Sequence, residues 1–276
     1  MISRNIQPAP ELREYIYRYR IRHFYFDGSK TVPLKPFPPR PEQCIVFYPR
    51  GAETIEYPSS SINVQRPRSV ISGQFTERIN RLITTPEFLM ISVEFRPGAL
   101  YRLTGINFAE LTNKCEDAEA MFSPELAGIN ARLSGASTYD EMLMIIEEYL
   151  KALVVKSSRP VIAADHILDG LVNSGEILSV DQLSKKAYLS PRQLERKVME
   201  RIGVCPKTFL KLSRFHKSLL MRYAHPERNW FSIAIESGYS DYQHLVKEYK
   251  TYTVTTPNLF ITEEFRSPGR ILGLTK

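Results

Sequence analysis

At 276 residues, with 43% hydrophobic and 24% charged residues, the chain is long enough for two domains with separate cores and too apolar for intrinsic disorder. Its net charge of +7 is unevenly spread: residues 160–276 hold 17 Lys and Arg against 12 Asp and Glu, a bias that suits a polyanionic partner. The scattered Cys44, Cys115 and Cys205 form no disulfide framework, and no apolar run approaches the ~20 residues of a membrane span, so the expectation is a cytoplasmic protein with no membrane partner.

The first half reads as β-rich. Lys35-Pro36-Phe37-Pro38-Pro39-Arg40-Pro41 excludes helix and central strand. Branched and aromatic runs at 43–48, 69–73 and 89–95 predict strands, bounded by Pro, Gly or charge. Together they imply a small β-sandwich or barrel. Arg96-Pro97-Gly98 predicts a turn and 99–103 a short helix. Glu94 and Arg96, at that strand end, are read as surface charge, with the lining of a pocket as the alternative. Over 139–154 an amphipathic helix is predicted, with Tyr139, Met142, Leu143, Ile146, Tyr149, Leu150 and Leu153 on one face and Ser137 or Thr138 as N-cap. That face suits packing on its own domain or a homodimer contact. Lys156-Ser157-Ser158-Arg159-Pro160 is the linker candidate, dividing the chain into 1–157 and 158–276.

The second half contains a repeat. Ser184, Ser190, Leu194, Val198, Pro206 and Phe209 recur as Ala234, Ser240, Leu245, Tyr249, Pro257 and Phe260. The offset is 50 residues through Ser190/Ser240 and 51 from Leu194/Leu245, which predicts one extra residue at the start of the second long helix. In the first unit Val180, Leu183 and Ala187 share a face, Tyr188-Leu189 turns, Ser190 caps, Pro191 opens the next helix, and Gly203 ends it. In the second, Trp230, Ile233 and Ser237 face inward, Gly238-Tyr239 turns, and Ser240 or Asp241 caps. Two short helices and a tight turn make a helix-turn-helix. Between the units, Phe209, Leu212, His216, Leu219 and Leu220 form the apolar stripe of a connecting helix from Lys207 to about Tyr223, stopped by Pro226. The fold class is therefore α+β with two domains. A β-rich N-terminal domain with helices precedes an all-α domain of two helix-turn-helix units joined by a connecting helix.

These features resemble the AraC/XylS family of transcription regulators over about residues 160–266. The resemblance rests on the paired units, Ser190–Arg196 with its S-x-x-x-L-x-R pattern, Gly203–Pro206 and Arg214-Phe215. It rests also on Ile233-Ala234 followed by Gly238-Tyr239-Ser240-Asp241 and His244. Ser184, Val198 and Val254 depart from the family's usual Ala, Phe and Gly. A weaker likeness at 93–103 joins the first half to the N-terminal domains of some family members, which implies a cupin-like barrel or sandwich there.

The resemblance implies sequence-specific binding of double-stranded DNA in two successive major-groove segments. Arg192, Glu195, Arg196, Tyr242, Gln243 and Lys247 are expected to reach bases, with Arg196 matched to guanine and Gln243 to adenine. Ser190, Lys207, Ser240, His244 and Lys250 are expected at phosphates. A small-molecule effector in the N-terminal domain and a homodimer are the further partners considered. No Walker loop, H-E-x-x-H or G-x-S-x-G occurs, and His23, His166, His216, His225 and His244 are isolated, so no enzyme, metal or cofactor is expected. Two alternatives remain: a regulator answering a protein partner, and a cysteine-dependent DNA-repair or sensor protein using Cys44 or Cys115.

Overall fold

The computed structural model describes residues 2–26, 34–122, 124–173 and 175–266. Its N-terminal part is built from ten strands, every paired ladder antiparallel. They are β1 (Ile2–Ile6), β2 (Ile16–Tyr25), β3 (Lys35–Phe37), β4 (Gln43–Arg50), β5 (Glu53–Tyr57), β6 (Ile62–Gln65), β7 (Ser69–Ser72), β8 (Ile79–Ile83), β9 (Glu87–Phe95) and β10 (Cys115–Asp117). One sheet has the order β1-β2-β9-β4-β7-β10 and the other β3-β8-β5-β6. The three predicted strands correspond to β4, β7 and β9. Pro36 lies in β3, an edge strand of the smaller sheet, where its missing N–H leaves no ladder bond unmade.

Alternation along β2 sets the two faces of the larger sheet. Tyr19 and Ile21 point into the main core, with Ile91 and Val93 of β9 beside them. That core is closed by α1 (Ala99–Thr104), α2 (Ala118–Phe122), α3 (Pro124–Gly135) and α4 (Tyr139–Lys156). Arg18, Arg20 and Arg22 alternate with these residues and point to the other face. There Val46, Tyr48, Phe88 and Met90 form a smaller apolar cluster beside the second sheet. Thr138 caps α4 as expected, and the predicted stripe, with Met142, Ile146, Tyr149 and Leu150 fully buried, packs on its own domain.

The C-terminal part is all helical: α5 (Ala163–Asn173), α6 (Val180–Lys186), α7 (Pro191–Ile202), α8 (Pro206–Ala224), α9 (Trp230–Glu236), α10 (Tyr242–Thr253) and α11 (Pro257–Phe265). Helices α6–α7 and α9–α10 are the two helix-turn-helix units. Ser179 and Ser190 each close a capping box with the Gln three residues on, which fixes the starts of α6 and α7. The predicted stripe of α8 needs correction. Phe209, Leu212, Phe215 and Leu219 are the buried residues, while His216 is half-buried and Leu220 is 48% exposed. Among the described residues no helix is long and apolar enough to cross a membrane.

The repeat is exact in its backbone. Tyr188 (φ 53°) and Gly238 (φ 87°) occupy the same left-handed turn position, 50 residues apart. The caps, Ser190 and Asp241, are 51 apart, so the extra residue is Ser240 in the turn rather than within the helix. Gly203 and Val254, again 51 apart, end the two long helices at φ 95° and φ 63°. Left-handed backbone strains a β-branched residue, and Val254 is 74% exposed, so no burial offsets that strain. Val254→Gly is expected to raise stability by about 1 kcal/mol, the relief of strain exceeding the extra entropy of an unfolded glycine. Chemical denaturation checks this; an unchanged or lowered midpoint refutes it.

Candidate nucleic-acid interface and interdomain cavity

Capping and core packing decide which side chains the two long helices leave outside. On α7, Leu194 and Val198 are buried, and Arg192, Glu195 and Arg196 are exposed. None of these three forms an ion pair among the described residues, and Glu200, a candidate partner for Arg196, accepts a hydrogen bond from Tyr101 at 2.7 Å. The Ser190 hydroxyl accepts the Gln193 backbone N–H at 3.3 Å. On α10, Leu245 and Tyr249 are buried, and Gln243, His244, Lys247 and Lys250 are exposed. Tyr242 is half-buried against the core of the second unit. Asp241 accepts the His244 backbone N–H at 2.8 Å, and Ser240 bonds the His244 ring. Lys207 is exposed in the first turn of α8.

The repeat is braced from behind. Arg214 of α8 bonds Glu248 of α10, reaches the Gly238 carbonyl at 3.4 Å and stacks 4.4 Å above the Tyr239 ring. The carboxylate bond holds Arg214 above its usual range despite burial. This one side chain ties connector, turn and second long helix together, which gives the Arg214 seen in the sequence a structural task.

The opposite ends of α7 and α10 are fastened to the β-rich domain. Gln43 donates to the carbonyl of Arg201 at 3.0 Å, and Thr112 donates to that of Gly203. These are last-turn carbonyls with no partner inside the helix. Gly203 itself lies so close to Phe108 that a Cβ would fall 2.5 Å from its carbonyl oxygen. Arg201 turns back to Asp165 at 3.5 Å and to the Tyr101 ring at 4.8 Å. Burial keeps the Asp165 carboxyl above its usual range against the pull of Arg201. In the second unit Arg78 donates to the Thr253 carbonyl at 3.1 Å and pairs with Glu263 at 2.7 Å. Arg96 pairs with Asp169 of α5 at 2.7 Å, and Glu94 is buried between Arg18 and Arg20, so neither is the surface charge expected from the sequence.

Between the domains lies a cavity of about 310 Å³. The β-rich wall brings Arg22, Lys35, Arg40 and Arg81 together with Phe24, Phe37 and Phe88. The helical wall is His216, Leu220 and Tyr223 of α8 and Glu264 of α11. Burial lowers Lys35 to about 7, and burial, helped by Arg40, lowers His216 to about 3, so the imidazole is neutral. Sequence reasoning missed this site. Two signals existed: the R-Y-R-I-R alternation of 18–22, which aligns three cations on one strand face, and the 216, 220, 223 spacing, which marks a second face of α8.

The cysteines give no reactive pair. Burial pushes the Cys44 thiol up to about 12. Cys115 accepts a hydrogen bond from Arg66 at 3.2 Å. Cys44 and Cys115 both register with Ser72 of the strand between them, two ladder spacings apart and beyond disulfide reach.

A family model described as a domain of unknown function, DUF6597, matches residues 4–117. No curated protein sequence matches the chain. Among solved structures, an apo single-site variant of ToxT from Vibrio cholerae strain SCE256 aligns over 94% of this chain and 99% of its own. It is 12% identical, with a TM-score of 0.50. Wild-type ToxT of that strain with an unsaturated fatty acid bound aligns over 93% and 98%, at 11% identity and a TM-score of 0.49.

The two interdomain fastenings are separable. Gln43→Leu is expected to speed amide exchange several-fold over 200–204, since losing a donor to a buried carbonyl costs about 1–3 kcal/mol, while α11 is unaffected. Arg78→Ala is expected to do the reverse. Mass-spectrometric hydrogen exchange distinguishes them, and exchange rising over both regions in either variant contradicts independent attachment. The chain thus has the two-domain fold of ToxT, a β-rich domain followed by paired helix-turn-helix units, which is the layout the AraC/XylS resemblance implies.

Proposed function

We propose that this chain is a sequence-specific, double-stranded DNA-binding transcription regulator of the AraC/XylS kind. The observation that carries it is the pair of equivalent helices, α7 and α10, each with a polar exposed face, braced by one continuous helix. The 19 residues of α8 span about 28 Å, close to the roughly 34 Å of one DNA turn. A single chain then presents two recognition helices to successive major-groove segments on one side of the duplex.

In this reading Arg192, Glu195 and Arg196 of α7 face bases, as do Gln243 and Lys247 of α10. The half-buried Tyr242 brings an aromatic ring suited to a thymine methyl. Ser190 accepts a backbone N–H and keeps its own O–H to donate to a phosphate. Ser240, His244, Lys207 and Lys250 complete the phosphate set. We place the domain boundary at 157/158, within a stretch that forms neither helix nor strand between α4 and α5. Control runs through the β-rich domain because that domain holds the far end of both recognition helices. The protonated, buried Cys44 and the absence of a histidine beside Cys115 among the described residues argue against the repair reading.

The test begins with a site selected from a randomised duplex pool. Arg196→Ala is expected to weaken that site by about 1–3 kcal/mol and to relax one base position. Lys250→Ala is expected to weaken all sequences alike and to lower the salt slope by about 1. Fluorescence anisotropy at several salt concentrations reads both. No selectable site, or an Arg196→Ala chain with unchanged sequence preference, refutes the assignment.

A further inference from the structure

A network of buried charges fills much of the interior of the β-rich domain. Glu53 pairs with Arg66 at 3.0 Å and Arg81 at 2.7 Å and accepts the Tyr48 hydroxyl at 2.6 Å. Arg18 and Arg20 close on Glu94. The gap left among these side chains is about 40 Å³, space for a few waters. The usable volume is the larger cavity at the mouth, against α8 and α11.

The charges of that cavity do not cancel. Arg18 and Arg20 share Glu94, with Glu42 4.0 Å from Arg20, and Arg66 and Arg81 share Glu53. Arg22, Lys35 and Arg40 form no ion pair among the described residues. Arg22 donates to the backbone carbonyls of Ile21 at 2.9 Å and Arg4 at 3.3 Å. Arg40 lies 4.7 Å over the Phe37 ring with its Nε buried and unbonded. Burial lowers Lys35 to about 7 and Arg22 to about 9 against the pull of Glu264 and Glu94, whereas Glu42 holds Arg40 above its usual range despite burial. Among the described residues that line the cavity, six cations (Arg18, Arg20, Arg22, Lys35, Arg40 and Arg81) face two carboxylates, Glu53 and Glu264.

We infer that this interdomain cavity binds a compact organic anion of two or more negative charges, its oxygens on Arg22, Lys35 and Arg40 and its carbon skeleton against Phe37 and Leu220. A single carboxylate would leave most of the uncompensated charge in place, which separates this ligand class from a long-chain monocarboxylate. The occupant touches both domains, so its binding energy differs between arrangements of the helical domain and shifts them. The regulatory half of this inference rests on the DNA-binding reading above; the site itself does not.

Calorimetric titration of the full chain with succinate, citrate and glycerol 3-phosphate tests the site, with acetate and oleate as comparisons. At least one multivalent probe is expected to bind with a Kd under about 1 mM, and acetate is expected to give no heat at that concentration. Lys35→Gln and Arg22→Gln should each weaken binding about tenfold or more, with thermal melting confirming the fold. Arg132→Gln, which removes an exposed charge on α3, should leave binding unchanged. Silence from every multivalent probe, oleate binding in their place, or an equal loss with Arg132→Gln overturns the site. DNA anisotropy on the same samples separates the two readings. A chain that binds the anion but no DNA overturns the regulator and keeps the site. Anion binding with unchanged DNA affinity overturns the link between them.

Discussion

One helix, α8, holds the C-terminal domain together. Phe209 near its start belongs to the core of the first helix-turn-helix unit, and Leu212, Phe215 and Leu219 belong to the core of the second. Neither unit could bury its apolar face alone, because α6 and α9 have only seven residues each. Packing both units on one rigid rod fixes the distance and rotation between α7 and α10. Any DNA reading that needs two grooves at once depends on that rod staying helical through Ala224.

The same helix faces the β-rich domain with His216, Leu220 and Tyr223. It is therefore covered on more of its circumference than an ordinary amphipathic helix, and the two domains meet along it. What joins them elsewhere is polar: arginine–carboxylate pairs and side-chain donors aimed at last-turn carbonyls. Such contacts are directional but can be exchanged for water at modest cost. An interface of this kind fixes one arrangement without making it irreversible. The N-terminal ends of α7 and α10, which approach DNA in the proposed function, carry none of these fastenings.

The C-terminal half was legible because its signals are local. Caps, turn residues and apolar spacing each act within a few residues, and the repeat shows them twice. The structure moved only details: Asp241 caps α10, and the inserted residue is Ser240 in the turn. The N-terminal half was legible only where strands are apolar. β2 was missed because Arg18, Arg20 and Arg22 mask the alternation when strands are sought as apolar runs, although period two is fully present. α8 was assigned one stripe because a single-face template cannot show a helix that packs on two partners, so His216 and Leu220 were merged with the core. α5 and α11 also went unpredicted. α11 has a weak local pattern and is buried by tertiary neighbours such as β3, whereas α5 carries a helical spacing, Ala164, Leu168 and Leu171, that was overlooked.

The buried charges of the β-rich domain call for a physical reason beyond stability. Taking Glu53, Arg66 and Arg81 out of water costs several kcal/mol per ion, and a well-packed apolar interior of equal volume is generally as stable or more so. The network does two things an apolar filling would not. It fills much of the interior, where the gap between its side chains is about 40 Å³, and it carries Arg81 to the wall of the larger cavity with a carboxylate already beside it. Arg22 and Lys35, which line the boundary with α8, form no ion pair among the described residues. The surplus of positive charge lining the cavity thus lies where an anion would also touch the helix that sets the spacing of α7 and α10.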